Sequence, residues 1–297
     1  MITILIISSC ILSAQPYEGE KGDVDNNGDI NVLDMLKIAN KILGIINLND
    51  QETWRADCNA PEGNCDGDGS ANVLDMVKIA NIILGTDECL ETSCTTVTDI
   101  DGNTYQTIQI GDQCWMAENL KVTHYRNGDA ILHITGNTDW KNLSTGAYCN
   151  YINDTSYVVT YGRLYNWYAV ADSRGMAPEG WHVPSDPEWR TLVDYLGGFS
   201  VAGGKLKTTG TIEGGTGLWY SPNTGATNES GFSGLPGGFR SKNSGGFFGL
   251  GRVAYFWSST EYIGDYAWSR PLHYNNVQVF SYSISKRRGF SVRCVKD

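Results

Sequence analysis

Two stretches of this 297-residue chain place oxygen-bearing side chains at alternating positions, a spacing suited to binding a hard cation. In residues 23–34, which read DVDNNGDINVLD, a glycine stands at the sixth position, where a tight loop must turn. Ca²⁺ takes about six to eight oxygens, and a twelve-residue loop supplies them from positions 1, 3, 5, 7, 9 and 12. The sequence fills these positions with Asp23, Asp25, Asn27, Asp29 (through its carbonyl), Asn31 and Asp34. We therefore predict a calcium loop that runs into a helix.

The loop and its helix occur twice. Residues 31–44 and 72–85 are identical at 12 of 14 positions with an offset of 41, which indicates an internal duplication. Read back from its last residue, the second loop offers Asp75, Asn72, Ser70 (through its carbonyl), Asp68, Asp66 and Asn64. This register puts a neutral Asn64 at position 1. In the alternative register the loop starts at Asp57 and Asn59, and residues 60–66 are an insertion closed by a Cys58–Cys65 disulfide.

We slightly favour the insertion, because Asp57 restores the missing charge at the start of the loop. Asp68, Ser70, Asn72 and Asp75 are ligands in either register, with Asn64 and Asp66 added if the loop is continuous. Because the first loop has a complete ligand set, we expect it to bind Ca²⁺ more tightly than the second.

A loop that ends in Asp, runs into one apolar helix and is repeated once after a linker resembles the dockerin module, here over residues 20–87. The sequence around Asp57 also resembles a dockerin loop start. The resemblance implies a small all-α pair of loop-helix repeats that holds two Ca²⁺ ions and docks to a cohesin-like domain. Loop positions 10 and 11, which help to select that partner, are Val32-Leu33 and Val73-Leu74 in place of a hydroxyl pair. We therefore expect an apolar contact, with a cohesin-like partner or with the chain's own C-terminal domain.

The chain begins with an apolar run that reads as a secretory signal peptide, residues 1–14, so we expect an extracellular protein, secreted or attached to the cell surface. Lipidation of Cys10 is an open alternative to simple cleavage, and no transmembrane segment is predicted. The net charge of −11 is local: residues 18–88 carry 15 acidic and 5 basic residues, which leaves 18 and 17 for the rest. Nucleic-acid binding is not expected, since it requires a basic surface.

Eight cysteines in an exported chain suggest disulfides. Cys58 with Cys65 and Cys89 with Cys94 are predicted as local pairs. Of the remaining three in the mature chain, we predict a Cys114–Cys294 disulfide that ties the first strands to the last, and a free Cys149.

Residues 97–297 differ in composition from the first module and are predicted to be joined to residues 20–88 by a linker at 89–96. Short alternating runs such as Thr104–Ile110 and Gly289–Val295 predict strands, and Asp101-Gly102, Asn127-Gly128 and Pro236-Gly237-Gly238 predict turns. One helix is predicted over Ser185–Leu196, where Ser185 and Glu188 form a capping box. A second helix is predicted over Arg163–Ala171. The chain as a whole is predicted to be α+β.

Several segments of this domain resemble the Fibrobacter succinogenes major paralogous (FISUMP) domain. They are Thr98–Tyr105, Trp115–Leu120, Tyr161–Trp167, Gly180–Pro184, Gly231–Gly238, Phe256–Glu261 and Gly289–Val295. The resemblance implies an exported bacterial surface module with a C-type-lectin-like or sulfatase-modifying-factor-like fold: an antiparallel β domain with two helices and a long irregular loop region. It does not supply a ligand.

Catalytic candidates in this domain are few, and we predict no enzyme. We interpret His182 as a structural histidine that bonds to the backbone. Trp140, Trp219, Trp257 and Trp268 could stack on sugar rings, but we interpret each as a core residue. Ser221-Pro222-Asn223 is the nearest match to the sugar motif of C-type lectins and lacks its acid.

The sequence therefore predicts a calcium-binding assembly protein in which the FISUMP domain serves adhesion or binds a surface polysaccharide or protein. The alternatives are a calcium-rigidified stalk packed on its own C-terminal domain and an enzyme of the sulfatase-modifying type that uses Cys149 or Cys294.

Overall fold

The structure is a computed structural model that describes Val24, Asn26, residues 32–42 and residues 94–297. The chain divides into two compact units, Met1–Ser93 and Cys94–Asp297. In the first unit, helix α1 spans Val32–Ile42 and begins within the last three positions of the first loop, in agreement with the prediction of a loop that runs into a helix. Asp34 lies in its first turn, where a carboxylate interacts favourably with the positive end of the helix dipole.

The second unit is mostly β-sheet with short helices. Its strands are β1 (Thr96–Thr98), β2 (Thr104–Ile110), β3 (Gln113–Met116), β4 (Leu132–His133), β5 (Ala147–Cys149), β6 (Leu164–Tyr165), β7 (Trp181–His182), β8 (Gly237–Arg240), β9 (Phe247–Leu250), β10 (Val253–Ile263), β11 (Tyr266–His273), β12 (Tyr282–Ser285) and β13 (Val295–Lys296). Its helices are α2 (Asn137–Lys141), α3 (Ser156–Tyr161), α4 (Trp167–Val170), α5 (Asp186–Tyr195) and α6 (Ala202–Leu206), with a 3₁₀ turn at Tyr151–Asn153. The described chain is therefore mixed α+β. None of its described helices combines the length and apolar character that crossing a bilayer requires.

Three sheets organise this unit, in the strand orders β1-β2-β3-β13-β7, β12-β11-β10-β8-β9 and β4-β5-β6. Neighbouring strands are antiparallel except for the pairs β4–β5 and β8–β10, which are parallel. The predicted Asp101-Gly102 turn joins β1 to β2, and Gly102 adopts a φ of 80°, a conformation that glycine enters without a steric penalty. The predicted strand Thr104–Ile110 is confirmed as β2.

Two hydrophobic cores lie on opposite sides of the long strand β10. Ala254 and Phe256 belong to one core, whereas Trp257, on the other face of the strand, belongs to the second. The segment 289–295 is buried at every residue. Phe290, Val292 and Cys294 belong to the same core as Trp257, whereas Val295 belongs to the core of Ala254 and Phe256. Its prediction as a strand is met in part: Val295 lies in β13, while Phe290 and Ser291 form single bridges to Tyr165 and Phe256.

The capping box predicted for helix α5 is confirmed. Ser185 N donates to Glu188 Oε2 over 2.7 Å, and Glu188 N donates to Ser185 Oγ over 3.4 Å. Trp189 of this helix is buried with its ring centroid 4.8 Å from that of Trp115 on β3, and such aromatic pairs contribute about 0.5–1.5 kcal/mol beyond area burial. Asp186 Oδ1 accepts a 2.5 Å bond from the buried guanidinium of Arg270, so the helix start is also tied to β11.

Two local predictions were wrong in detail. A helix was expected over Arg163–Ala171, but Leu164–Tyr165 forms a strand that pairs with β5. The helix begins only after Asn166, whose side chain caps it. The turn expected at Pro236-Gly237-Gly238 is the start of β8. A Cβ on Gly238 would lie 2.4 Å from the Phe248 carbonyl oxygen, so only glycine allows β8 and β9 to approach this closely.

Candidate functional site

The first candidate site is the predicted calcium loop, of which the structure describes Val24, Asn26 and the helix start. Asp34, at loop position 12, is fully buried, and its Oδ1 accepts a 2.8 Å hydrogen bond from Val24 N at position 2. Asn26 has a φ of 58°, a left-handed conformation that asparagine tolerates and that tight turns use. The Asp34 carboxylate is thus turned back onto the start of the loop, where a bound cation would need it.

The remaining predicted ligands lie outside the described residues. They are Asp23, Asp25, Asn27, Asp29, Asn31, Asp57, Asn59, Asn64, Asp66, Asp68, Ser70, Asn72 and Asp75. The second helix and the Cys58–Cys65 pair lie outside them as well. Within Val24, Asn26, 32–42 and 94–297, no group of three or more His, Cys, Asp or Glu side chains is arranged to hold a metal ion.

The second candidate site is an open groove of about 580 Å³ in the unit Cys94–Asp297. This volume is within the range of about 300–1,000 Å³ that is usual for small-ligand sites. The lining residues are Tyr125, Ala130, Leu132, Ser144, Thr145, Gly146, Tyr168, Ala171, Asp172 and Arg174. The lining therefore combines apolar and aromatic residues with hydroxyl and charged groups.

Arg174 is held in the groove by two carboxylates. Its Nε and Nη2 donate to the two oxygens of Asp172 at 2.8 Å each, and its Nη1 donates to Asp129 Oδ2 at 2.9 Å. The guanidinium carbon lies 4.0 Å from the centre of the Tyr125 ring. Hydrogen bonds from Arg174 lower the pKa of Asp172 to about 2 and that of Asp129 below its usual value. Both acids are therefore ionised at neutral pH, and the three groups carry a net charge of −1.

Tyr125 lies beneath this network. It is 1% exposed, and burial, followed by the charge of Asp172, raises its pKa to about 12. Its hydroxyl is within electrostatic reach of Asp172 and Arg174, yet it makes no hydrogen bond of ordinary geometry in the described chain. A Cβ on Gly146 would lie 2.1 Å from Tyr125 Oη, so only glycine leaves room for the phenol. The sequence carried no recognisable signal for this groove, because its residues come from separated segments of the chain.

His182 was predicted to bond to the backbone, and this prediction was wrong. The ring bonds to two carboxylates, with Nδ1 2.5 Å from Asp297 Oδ1 and Nε2 2.6 Å from Glu188 Oε1. Burial by itself would lower the His182 pKa, but the hydrogen bonds to Asp297 and Glu188 outweigh it and raise the pKa. The ring therefore clamps the start of helix α5 to the end of β13.

We expect His182→Gln to destabilise the chain more at pH 6 than at pH 9. A raised folded-state pKa means that the protonated ring stabilises the fold, fully below the unfolded pKa of about 6.5, and that this stabilisation is lost as pH rises through the folded-state value. The pair is partly exposed, so the difference in the free energy of unfolding should be about 0.2–1 kcal/mol. Urea unfolding at both pH values measures it.

His133→Gln is the control for that experiment. Burial lowers the pKa of His133, so the wild-type ring costs stability as pH falls, and its removal should have the opposite pH dependence. Equal effects of the two substitutions at both pH values would contradict the assignment.

The cysteine pairing differs from the prediction. Cys94 and Cys114 form a disulfide with Cα atoms 5.7 Å apart, so both the Cys89–Cys94 and the Cys114–Cys294 pairs were wrong. Cys149 is free, as predicted, and Cys294 is free as well; both are buried. Val295 pairs with Trp115, which sets Cys294 opposite Met116. Diagonal neighbours in a sheet are about 7–8 Å apart, beyond the usual Cα separation of a disulfide.

We expect iodoacetamide to leave Cys149 and Cys294 unmodified in the folded protein. Burial raises the pKa of Cys149 to about 12 and also raises that of Cys294, so neither supplies thiolate at neutral pH. Peptide mapping by mass spectrometry should show both alkylated in urea without reductant, whereas Cys94 and Cys114 should also require reduction. Rapid alkylation of either thiol in the folded chain would contradict this account.

The interpretation of the tryptophans as core residues is confirmed for three of four. Trp140, Trp219 and Trp257 are fully buried, and each indole N–H donates to a backbone carbonyl. Trp268 is half-buried, with its ring centroid 4.9 Å from that of Tyr262. In the Ser221-Pro222-Asn223 motif, Asn223 Nδ2 donates to the carbonyls of Thr208 and Gly210, which is a structural role.

Comparison with known proteins bears on the second unit. The family model of the Fibrobacter succinogenes major domain matches residues 108–296, more than half of the chain. The match includes the groove and His182 and begins after the Thr98–Tyr105 segment. No curated protein and no solved structure matches the chain. The chain therefore belongs to the Fibrobacter succinogenes major domain family.

Proposed function

We propose that this chain is an exported assembly protein in which a dockerin-like, calcium-binding module carries a non-catalytic ligand-binding domain. The observation that carries the calcium part is the fully buried Asp34 carboxylate at the start of α1, bonded to Val24 N across the loop. Asp34 stands at loop position 12, from which a twelve-residue calcium loop supplies its last ligand.

The first Ca²⁺ would be held by Asp23, Asp25, Asn27, the Asp29 carbonyl, Asn31 and Asp34, and the second by the equivalent residues that end at Asp75. When bound, the ion supplies positive charge and fixes the loop against its helix. The donor set is all oxygen, which fits a hard cation and disfavours zinc.

The docking part of the proposal is supported by the surface of α1. Val32, Leu33 and Leu36 are 66%, 57% and 56% exposed, whereas Ile38 is fully buried. Apolar residues on an exposed helix face suit an apolar partner surface. We propose a cohesin-like domain as that partner. The second candidate is the chain's own C-terminal domain, which would make the module a calcium-rigidified stalk.

For the C-terminal domain we propose a C-type-lectin-like fold used for adhesion or ligand binding at the cell surface. Two observations support export and a non-catalytic role. The Cys94–Cys114 disulfide suits an oxidising compartment. The buried Cys149 and Cys294 thiols, with raised pKa values, are unsuited to the thiol chemistry of a sulfatase-modifying enzyme.

A capture experiment tests the docking proposal. The full chain is immobilised and exposed to purified cohesin-like domains from the same genome, in Ca²⁺ or in a chelator. We expect capture in Ca²⁺ alone, loss of capture in Val32→Asp and Leu36→Asp, and retention in Val159→Asp, a control that is 81% exposed in the other unit. Capture that ignores calcium and the α1 substitutions would contradict docking, and the absence of any capture would favour the stalk.

A further inference from the structure

We propose that the groove around Tyr125, Tyr168 and Arg174 binds a neutral carbohydrate. This inference rests on the proposed function in one respect, that the C-terminal domain is a ligand-binding module, and it supplies the ligand class. It is carried by the mixed apolar and polar lining of the groove and by its fixed charges.

The apolar and aromatic lining residues suit the C–H face of a sugar ring. Tyr168 is half-buried, Leu132 is 51% exposed, and Ala171 is exposed. A tyrosine ring packs against apolar C–H groups while its hydroxyl remains hydrated. A purely ionic ligand would gain nothing from these three residues.

The polar lining residues offer hydrogen-bonding groups that are already fixed in place. A guanidinium has five N–H donors, and Arg174 uses three of them on Asp172 and Asp129. Two donors are left without a partner among the described residues, beside carboxylate oxygens that can accept further bonds. Adjacent donors and acceptors of this kind match neighbouring hydroxyls on one ring. Because the ion pairs fix the Arg174 side chain in advance, a ligand would lose little of its binding free energy in ordering it.

Tyr125 supports the site from below. Its side chain is almost fully buried, and the Arg174 guanidinium carbon lies 4.0 Å from the centre of its ring. Tyr125 therefore helps to position Arg174 and is not itself expected to contact the ligand.

The charge of the site selects against acidic sugars. Asp129 and Asp172 are both ionised beside Arg174, so these three groups carry a net charge of −1 that disfavours a uronate hydrogen-bonded to them. We therefore expect neutral oligosaccharides to bind and their carboxylated counterparts to be excluded.

Saturation-transfer NMR and calorimetry on the full chain test this proposal. The probes are neutral tetrasaccharides built from glucose, xylose, mannose and galactose, with a galacturonic acid oligomer as the acidic counterpart. We expect at least one neutral probe to bind at millimolar concentration and the acidic one to give no signal. Tyr168→Ala and Asp172→Asn should each weaken binding by about tenfold or more. Tyr168→Phe should retain most of it.

Arg190→Ala is the matched control, because Arg190 also pairs with an exposed aspartate, Asp194, but does not line the groove. It should bind like the wild type, and thermal unfolding should show that all variants are folded. The absence of binding by every neutral probe, or equal binding by Tyr168→Ala, overturns the proposal. Sugar binding should also persist in a chelator. The calcium proposal is tested separately by Ca²⁺ titration, so failure of one proposal can be distinguished from failure of the other.

Discussion

Arg293→Met is expected to lower the free energy of unfolding by about 3–5 kcal/mol, the usual cost of removing one partner from a buried charged interaction. The Arg293 side chain is fully buried within the segment that separates the two cores. Its guanidinium donates to the carbonyls of Met116, Phe232 and Ser233 and to Asn119 Oδ1. Methionine would leave these four acceptors without their donor.

The choice of methionine isolates the polar part of this effect. The guanidinium carbon lies 4.4 Å from the Phe232 ring and 5.7 Å from the Phe256 ring, and methionine can fill the same space beside both. Burial lowers the pKa of Arg293 to about 9, so the wild-type side chain is still charged at neutral pH. Arg293→Lys keeps a charge but replaces the planar fork by a single ammonium, and it should also destabilise the chain.

Urea unfolding followed by tryptophan fluorescence measures the loss. Arg190→Met is the control, since Arg190 is exposed and its nitrogen lies 3.7 Å from Asp194; its change should stay within about 1 kcal/mol. Unfolding midpoints for Arg293→Met and Arg190→Met that agree with each other would contradict a structural role for the buried guanidinium.

Asp34→Ala is expected to weaken calcium binding at the first loop by more than about 100-fold. Changes that only touch the groups around a metal ligand cost about 10–100-fold in affinity, so the loss of a ligand should cost at least as much. Alanine also removes the acceptor for Val24 N, which lies 2.8 Å from Asp34 Oδ1.

Asp34→Asn separates these two effects. Asparagine retains an oxygen that can accept from Val24 N but lacks the negative charge, so it should preserve the loop closure and still lose most of the calcium affinity. The corresponding Asp75→Asn should affect the second site only. Unchanged affinity in both Asp34 variants would remove this residue from the proposed ligand set.

The sequence predicted best where short-range rules decide the structure. The capping box at Ser185 and Glu188 and the alternating strand Thr104–Ile110 depend on residues within one turn or one strand, and both are present. The Arg163–Ala171 segment has helical spacing, but pairing of Leu164–Tyr165 with β5 overrides its local preference. Helix propensity is weak enough for tertiary contacts to reverse it.

The disulfide prediction shows the same limit at longer range. It correctly expected β3 beside the last strand, since Val295 pairs with Trp115. Cys294 would lie opposite Cys114 only if the register of β13 on β3 were shifted by two residues. That register is set by the packing of both faces of the sheet, which local sequence does not specify. The groove could not be predicted at all, because Tyr125 and Arg174 are brought together by loops whose course the hydrophobic pattern does not specify.

Calcium titration into the calcium-free, full-length chain by calorimetry tests the central proposal most directly. We predict saturable binding of two Ca²⁺ ions per chain at unequal affinities, with the tighter site lost in Asp34→Ala. The absence of any saturable heat at millimolar Ca²⁺ would contradict the proposal that this chain carries a calcium-dependent assembly module.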